Sequence, residues 1–194
     1  MKSFAISGSP RENVGKRDAK ELRYQGLVPA VLYGGKTQTH FAVPAAELKP
    51  IIYTPVVHFI DITVGNVKST AIIKDIQFHP LTEQILHVDF LELDEKKPIA
   101  IEIPISLTGT SPGVKMGGKL VQKLRKLRIK ALPKDHLDNI DVSIEGLDVG
   151  KSVRVSDLKL EKLIITNAKE DTIVSVTTSR ALRQAEQEAA SGKK

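Results

Sequence analysis

Residues 75–90 read DIQFHPLTEQILHVDF, and in this stretch polar side chains alternate with apolar ones at the spacing of a β-strand. Asp75 and Gln77 should therefore lie on one face of a strand. His87 and Asp89 should likewise share a face, with apolar neighbours on the opposite one. Because His, Asp and Gln offer short, directional hydrogen-bonding groups, we predict that this face recognises another molecule or carries out catalysis.

The composition describes a soluble chain with one or two modest cores. It has 194 residues, of which 41% are hydrophobic and 27% charged, and we expect two domains. The absence of cysteine excludes a disulfide framework and thiolate metal sites, which suits a reducing compartment. No apolar run approaches the roughly 18 residues that span a bilayer, and the N-terminal run is too short for a signal peptide. These features predict a cytoplasmic protein with no membrane segment.

A domain boundary is indicated near residue 95. All eight aromatic residues, three Tyr and five Phe, lie within residues 1–90. Residues 1–95 carry 10 Lys and Arg against 11 Asp and Glu, whereas residues 96–194 carry 19 against 12, so the two net charges are −1 and +7. The polar segment Leu93–Pro98 ends in proline, which is typical of a connection. We therefore predict domains at 1–95 and 96–178, followed by a tail at 179–194.

The first half reads as short strands with few helices. Lys16–Gln25 is predicted to be a helix because Ala19 and Leu22 share one face and Gly26 supplies a stop. A brief second helix should begin at Pro44. Period-two alternation predicts strands at Val28–Tyr33, Thr39–Val43, Val56–Val64, Ala71–Phe78 and Leu86–Leu93. Many short strands imply a barrel or a twisted sheet.

The second half is strand-like almost throughout, so the predicted fold class is mainly β. Only Arg180–Ala190 has helical composition, and it has little apolar surface to bury, which predicts a solvated helix or a frayed tail. Strands are predicted at Ile99–Leu107, Arg125–Ala131, Ile140–Ile144, Ser152–Val155 and Thr172–Thr177.

Catalytic interpretations find weak support in the sequence. Gly35–Thr37 imitates the end of a phosphate-binding loop, but Ala30 occupies the position of the motif's first glycine. His79, His87 and Asp89 could form the centre of a hydrolase or a metal enzyme, yet metal-ligand spacing is missing and a hydrogen-bonded surface pair is the simpler interpretation. No serine occupies a nucleophile elbow. We therefore expect no enzyme activity, no cofactor, no metal and no small-molecule substrate.

Basic segments favour nucleic acid as the partner. Lys115–Lys134 carries eight Lys and Arg and no acid, and such a run can neutralise phosphates. The same run also fits the solvated face of alternating strands, with Leu127 and Ile129 inward and Arg128 outward. Residues 1–40 carry seven Lys and Arg against three Asp and Glu, which predicts a positive local field in the first domain as well.

Several motifs resemble one family. Gly15–Arg23, Val28–Gly35 and Asp75–Phe90 are similar, in this order, to the bacterial large-subunit ribosomal protein that binds 5S rRNA. Gly113–Leu120 and the segment from Gly146 to Leu160 resemble the second domain of its longer form, called general stress protein Ctc. The resemblance covers about residues 3–178.

The resemblance implies a six-stranded barrel-like first domain with short flanking helices that binds the loop E region of 5S rRNA, and an all-β second domain. It implies the large ribosomal subunit as partner and no chemistry. Ala19 departs from the family's usual serine, and Glu21 departs from a common basic residue, so contacts from this helix should be fewer. The implied RNA-contacting residues are Arg11, Lys16, Lys20, Arg23, Tyr33, His87 and Asp89, with Gln77 a weaker candidate.

The candidate residues divide into two expected roles. The cations should contact phosphates and set register, while Tyr33, His87 and Asp89 should discriminate one RNA shape from another. Structural alternatives stay open for two residues: Tyr33 could be half-buried barrel packing, and Asp89 could cap a turn or form an ion pair with Arg23. A further alternative for the whole chain is a regulatory interaction protein that docks a protein partner through its second domain.

Overall fold

A computed structural model describes residues 3–35, 37–158, 160 and 163–178. The chain forms two compact units. The first contains the residues up to Ile101 together with Ala131–His136, and the second contains Glu102–Lys130 and the residues from Leu137 onward. In the part of the chain that the structure describes, no helix is both long and apolar enough to cross a membrane.

The first unit is a closed six-stranded barrel. Around the barrel the strands follow the order β1, β3, β2, β6, β5, β4, and β4 pairs with β1 to close it. The β1–β4 and β2–β6 pairs are parallel, and the other pairs are antiparallel. The strands are β1 (Ser3–Pro10), β2 (Leu27–Tyr33), β3 (Thr39–Pro44), β4 (Phe59–Val64), β5 (Val67–Phe78) and β6 (Ile85–Glu92).

The barrel interior is filled by the side chains on the inward face of each strand. On β6, Val88 and Phe90 are fully buried, whereas His87 and Asp89, which alternate with them, stay partly exposed. Phe41 of β3 packs beside Phe90, with ring centroids 5.7 Å apart. The faces predicted for His87 and Asp89 are therefore confirmed, and so is the mainly β fold class with its barrel.

Strand β1 is the element of the barrel that the sequence pattern did not reveal. Its inward side carries Phe4, Ile6 and Gly8, of which Ile6 is buried. A Cβ atom at Gly8 would lie 2.5 Å from Cδ2 of Phe41, so the third inward position has to be glycine. Because this position is a glycine, β1 carries only two large apolar side chains at alternating positions, which is too short a pattern to predict a strand.

Two helices flank the barrel. Helix α1 (Lys16–Tyr24) ends one residue before the predicted end, and α2 (Ala45–Ile52) begins directly after Pro44. Gly26 has a φ of +79°, a left-handed conformation that other residues adopt at a cost, and it ends α1 as predicted.

The second unit contains two small sheets. One has the order β10, β7, β9, β12 and the other β11, β13, β8. Its elements are β7 (Ile99–Thr108), α3 (Pro112–Lys115), β8 (Lys119–Gln122), β9 (Lys126–Ala131), β10 (Ile140–Ser143), β11 (Ser152–Arg154), β12 (Ile164–Ile165) and β13 (Thr172–Thr177).

An aliphatic core lies inside the second unit, with Ile144, Leu147, Val174 and Val176 buried together. The five predicted strands of this half correspond to β7, β9, β10, β11 and β13. The short elements α3, β8 and β12 were not predicted. The helix or frayed tail predicted after residue 179 lies outside the described residues.

Candidate nucleic-acid interface

Helix α1 lies against the outer side of β2 and forms one wall of the candidate site. Pro29 and Val31 point outward from the barrel but are nevertheless buried. Ala19 and Leu22, the predicted apolar stripe of α1, are half-buried. The stripe therefore attaches the helix to the barrel, while Lys16, Lys20 and Arg23 stay exposed.

Arg11 fixes the start of this helix. Its Nε donates to Oδ2 of Asp18 at 3.2 Å, and its Nη2 donates to the same oxygen and to the carbonyl of Asn13. The side chain of Arg11 is only 8% exposed. Asp18 lies in the first turn of α1, where a negative charge also complements the helix dipole. The positive charge of Arg11 is thus paired with the carboxylate of Asp18 within the protein.

His87 and Asp89 form a hydrogen-bonded pair on the outer face of β6. His87 Nδ1 lies 2.7 Å from Asp89 Oδ1, and the side chains are 29% and 30% exposed. When Nδ1 donates to the carboxylate, Nε2 of the imidazole remains to accept a hydrogen bond from a ligand. The second carboxylate oxygen of Asp89 can accept another. The pair therefore presents two acceptors in a fixed geometry.

Strand β5 adds polar groups beside this pair. Gln77 is the cross-strand partner of His87, and Asp75 is the partner of Asp89. Gln77 and Asp75 are both exposed. The register therefore brings these four polar groups together on adjacent strands. Gln77 contributes an amide, which both donates and accepts.

These elements enclose an open groove of about 580 Å³ between α1 and the ribbon of β5 and β6. Six of the eight predicted site residues line it. Its wall on α1 is cationic, and its wall on β5 and β6 carries the short polar side chains. The six residues are Arg11, Lys16, Arg23, Gln77, His87 and Asp89.

Tyr33 and Lys20 lie outside the residues that line the groove. Burial raises the pKa of the Tyr33 phenol, and the negative charges of Asp89 and Asp75 raise it further. The phenol therefore stays protonated at neutral pH and can donate a hydrogen bond beside the two carboxylates. Lys20 Nζ lies 5.8 Å from the ring centroid of Tyr24, within the range of a cation–π contact.

Comparison with known proteins assigns both halves of the chain. Residues 6–90 match the model of the Ribosomal L25p family, and residues 98–180 match that of the ribosomal protein TL5 C-terminal domain. The chain belongs to the ribosomal L25p family. It is accordingly a structural protein of the ribosome and not an enzyme.

Relatives of the L25p family match over nearly the whole chain. Three of them are named large ribosomal subunit protein bL25. The relative from Amoebophilus asiaticus is 47% identical, covering 97% of this chain and 96% of its own length. The relative from Cytophaga hutchinsonii is 45% identical, and the match covers 100% of both chains. The relative from Porphyromonas gingivalis is 41% identical, and the match covers 95% of this chain and 97% of the relative.

In this L25p protein, the residues considered for catalysis have structural roles. His79 Nδ1 accepts from the backbone N–H groups of Leu81 and Thr82, so the imidazole organises the turn between β5 and β6. No cluster of three or more potential metal ligands occurs among the described residues. The segment after Gly35 leads into strand β3 and not into the helix that a phosphate-binding loop requires.

The structure also decides one alternative that the sequence left open for Asp89. Arg23 and Asp89 do not form an ion pair in the described part of the chain. Instead Arg23 Nε donates to the carbonyl of Leu86 at 3.0 Å, and Asp89 is paired with His87. Because a backbone carbonyl carries no net charge, the guanidinium of Arg23 keeps its positive charge for a ligand.

Two further groove residues were missed from the sequence. Gln38 and His40 come from the loop before β3 and from β3 itself, and His40 lies opposite Val31 in the sheet. His40 precedes the buried Phe41, so strand alternation could have placed it on the outer face. Its proximity to α1 depends on the pairing of β3 with β2, which the pattern does not encode.

The basic run of the second unit follows the expected alternation. Leu127 and Ile129 are buried, and Lys126, Arg128 and Lys130 on β9 are exposed. Arg128 Nε lies 2.8 Å from Oε1 of Glu102, which neutralises part of the stripe. In the first unit, Lys134 Nζ lies 2.8 Å from Glu95, and this hydrogen bond raises the pKa of the lysine.

Proposed function

We propose that this L25p-family protein is a component of the large ribosomal subunit in the bacterial cytoplasm. We further propose that it binds 5S rRNA, in its loop E region, through the groove between α1 and the β5–β6 ribbon. The names of the relatives support the first statement. The second is supported by the observation that six of the residues implied by the resemblance line one open groove.

The groove suits a distorted RNA duplex. Such a duplex presents 2′-hydroxyls and base edges in a wide, shallow minor groove, which short polar side chains can reach. His87 and Asp89 lie on a strand whose opposite face is packed in the barrel core, so they are held rigidly. Fixed acceptors can therefore distinguish hydroxyl and amino groups by position, with Gln77 beside them.

The cations of α1 suit the phosphates that border such a groove. Lys16 and Arg23 line it, and Lys20 is exposed on the same short helix. Phosphate contacts fix the register of the protein on the duplex but carry little sequence information. Tyr33 would donate its phenolic hydrogen at the carboxylate end of the same surface.

We assign Arg11 a positioning role within this proposal. Its side chain is nearly buried and its donors are engaged by Asp18 and Asn13, so it holds α1 instead of contacting phosphate. Ala19 and Glu21 remove a hydroxyl and a cation relative to the family pattern, which leaves Lys16, Lys20 and Arg23 as the helix's contribution.

We propose residues 1–95 as the RNA-binding domain and residues 96–178 as a separate β domain. All residues assigned to RNA contact lie in the first range. The stripe on β9 is partly neutralised by Glu102, and nothing in its geometry selects RNA over solvent.

Affinity for 5S rRNA tests the site directly. Alanine at His87, Asp89 or Arg23 should each cost about 1 to 3 kcal/mol of binding free energy, as expected for well-formed contacts. Lys68→Ala is a control, because Lys68 is exposed on β5 beside the β4–β5 turn and does not line this groove. Wild-type affinity in all three variants would rule out this groove, and a protein that fails to sediment with large subunits would rule out the assignment to the ribosome.

A further inference from the structure

Arg23 also lines a second groove of the first unit, which has a volume of about 400 Å³. The groove is formed by the end of α1, by α2 and by the turn between β5 and β6. Lys49 and Tyr53 of the α2 region line it together with Thr82, Glu83 and Gln84 of the turn. One guanidinium is therefore shared by the wall of the proposed RNA site and by the wall of this groove.

The side chains in the second groove are accessible and not committed elsewhere. Tyr53 follows α2 directly and its side chain is 63% exposed. Lys49 is exposed and forms no ion pair in the described part of the chain. Among the described residues, the Arg23 side chain donates only to the carbonyl of Leu86 and forms no ion pair, so its charge is available for a ligand. Two cations and an exposed aromatic ring thus surround a partly apolar floor that includes Val28 and Ile85.

We propose that this groove binds one unpaired nucleotide of the same RNA. The base would stack on the ring of Tyr53, and its phosphate would lie between Arg23 and Lys49. Single-stranded RNA is commonly recognised by bases that stack on aromatic side chains while cations hold the backbone. The inference rests on the proposed binding of 5S rRNA and extends its contact surface beyond Arg23.

Charge and continuity favour RNA over a protein as the occupant. Among the described lining residues, Arg23 and Lys49 are cations and Glu83 is the one acid. Because Arg23 lines both grooves, an RNA strand bound in the first groove can extend into the second. The volume lies at the lower end of the range for small-ligand pockets, which suits a single nucleotide better than a peptide segment.

Binding of the full-length protein to intact 5S rRNA, combined with chemical probing of unpaired nucleotides, tests this inference. Tyr53→Leu should weaken binding about 5- to 100-fold, the effect of losing one base–aromatic stack. Tyr53→Phe keeps the ring and should stay within about twofold of wild type. One unpaired nucleotide protected by the wild type should become reactive with Tyr53→Leu, while protections that depend on His87 persist.

Charge variants give an independent readout. Lys49→Gln should lower the slope of log affinity against log salt by about 0.7, and Lys68→Gln should leave it unchanged. Glu83→Gln removes the charge that opposes a phosphate and should tighten binding by about twofold or more.

The possible failures are distinguishable. If His87→Ala loses binding but Tyr53→Leu binds with wild-type affinity and protections, the nucleotide pocket is wrong and the proposed function stands. If Tyr53→Leu disturbs incorporation into large subunits without changing RNA binding, the groove docks a protein and the inference is again overturned. If the wild type does not bind 5S rRNA, both proposals fail.

Discussion

Replacing Arg11 with methionine should lower the stability of the protein without changing the number of phosphates it neutralises. The substitution removes the hydrogen bonds to Asp18 and to the carbonyl of Asn13 but retains much of the packed side-chain volume. Hydrogen bonds to charged groups contribute about 1.5 to 3 kcal/mol each when buried. Because Asp18 is 37% exposed and can be rehydrated, we expect a loss of about 1 to 2 kcal/mol in the free energy of unfolding.

The assay pairs urea unfolding with the salt dependence of 5S rRNA binding. Lys16→Gln, an exposed residue at the start of α1, should lower the slope of log affinity against log salt by about 0.7 to 0.9 and leave unfolding unchanged. Arg11→Met should lower the free energy of unfolding and leave the slope of log affinity against log salt unchanged. Asp18→Asn should reproduce the stability loss, and the double variant should lose less than the sum of the two single losses.

A positioning role for Arg11 would be refuted by one pattern of results. In that pattern Arg11→Met lowers the salt slope as much as Lys16→Gln does, while the unfolding curve stays at its wild-type midpoint. Such a result would mean that the guanidinium leaves Asp18 to contact phosphate in the complex.

Three further predictions concern other parts of the first unit. Gly8→Ala should destabilise the barrel by about 1 to 3 kcal/mol in urea unfolding, because the new Cβ meets Phe41 at 2.5 Å, and Phe41→Leu should restore part of the loss. Tyr33→Phe should weaken 5S rRNA binding by about 0.5 to 1.5 kcal/mol through the lost hydrogen bond, with unfolding unchanged; equal affinity would assign Tyr33 to packing alone. Burial lowers the pKa of His136 below 6.5, so in mild acid the unfolded protein binds more protons at this residue than the folded protein does. Stability should fall as the pH drops below about 6.5, and less steeply in His136→Phe; identical pH profiles would contradict this.

Much of the fold followed from local alternation. The strands from β2 to β6 were found as short runs rich in apolar residues, and alternation along β6 placed His87 and Asp89 on an outer face. The turn at Gly26 was likewise a local signal. Resemblance to a family, carried by the order of several motifs, supplied the candidate cations of α1.

Specific side-chain contacts could not be predicted from local alternation. Strand β1 has only two inward apolar side chains, Phe4 and Ile6, because the ring of Phe41 on β3 occupies the space that a side chain at position 8 would need. Arg11, one of the candidate phosphate contacts, is nearly buried and paired with Asp18. Arg23, one alternative partner of Asp89, donates to a backbone carbonyl, and Asp89 is paired with His87.

The sequence by itself determined which side chains face outward on each strand, because alternation is a property of the local backbone. The tertiary structure alone decided which of those faces meet. The parallel pairing of β2 with β6 places α1, which lies on β2, beside His87 and Asp89. The pairing of strands depends on residues that are far apart in the chain, so a pattern read along the sequence carries no record of it.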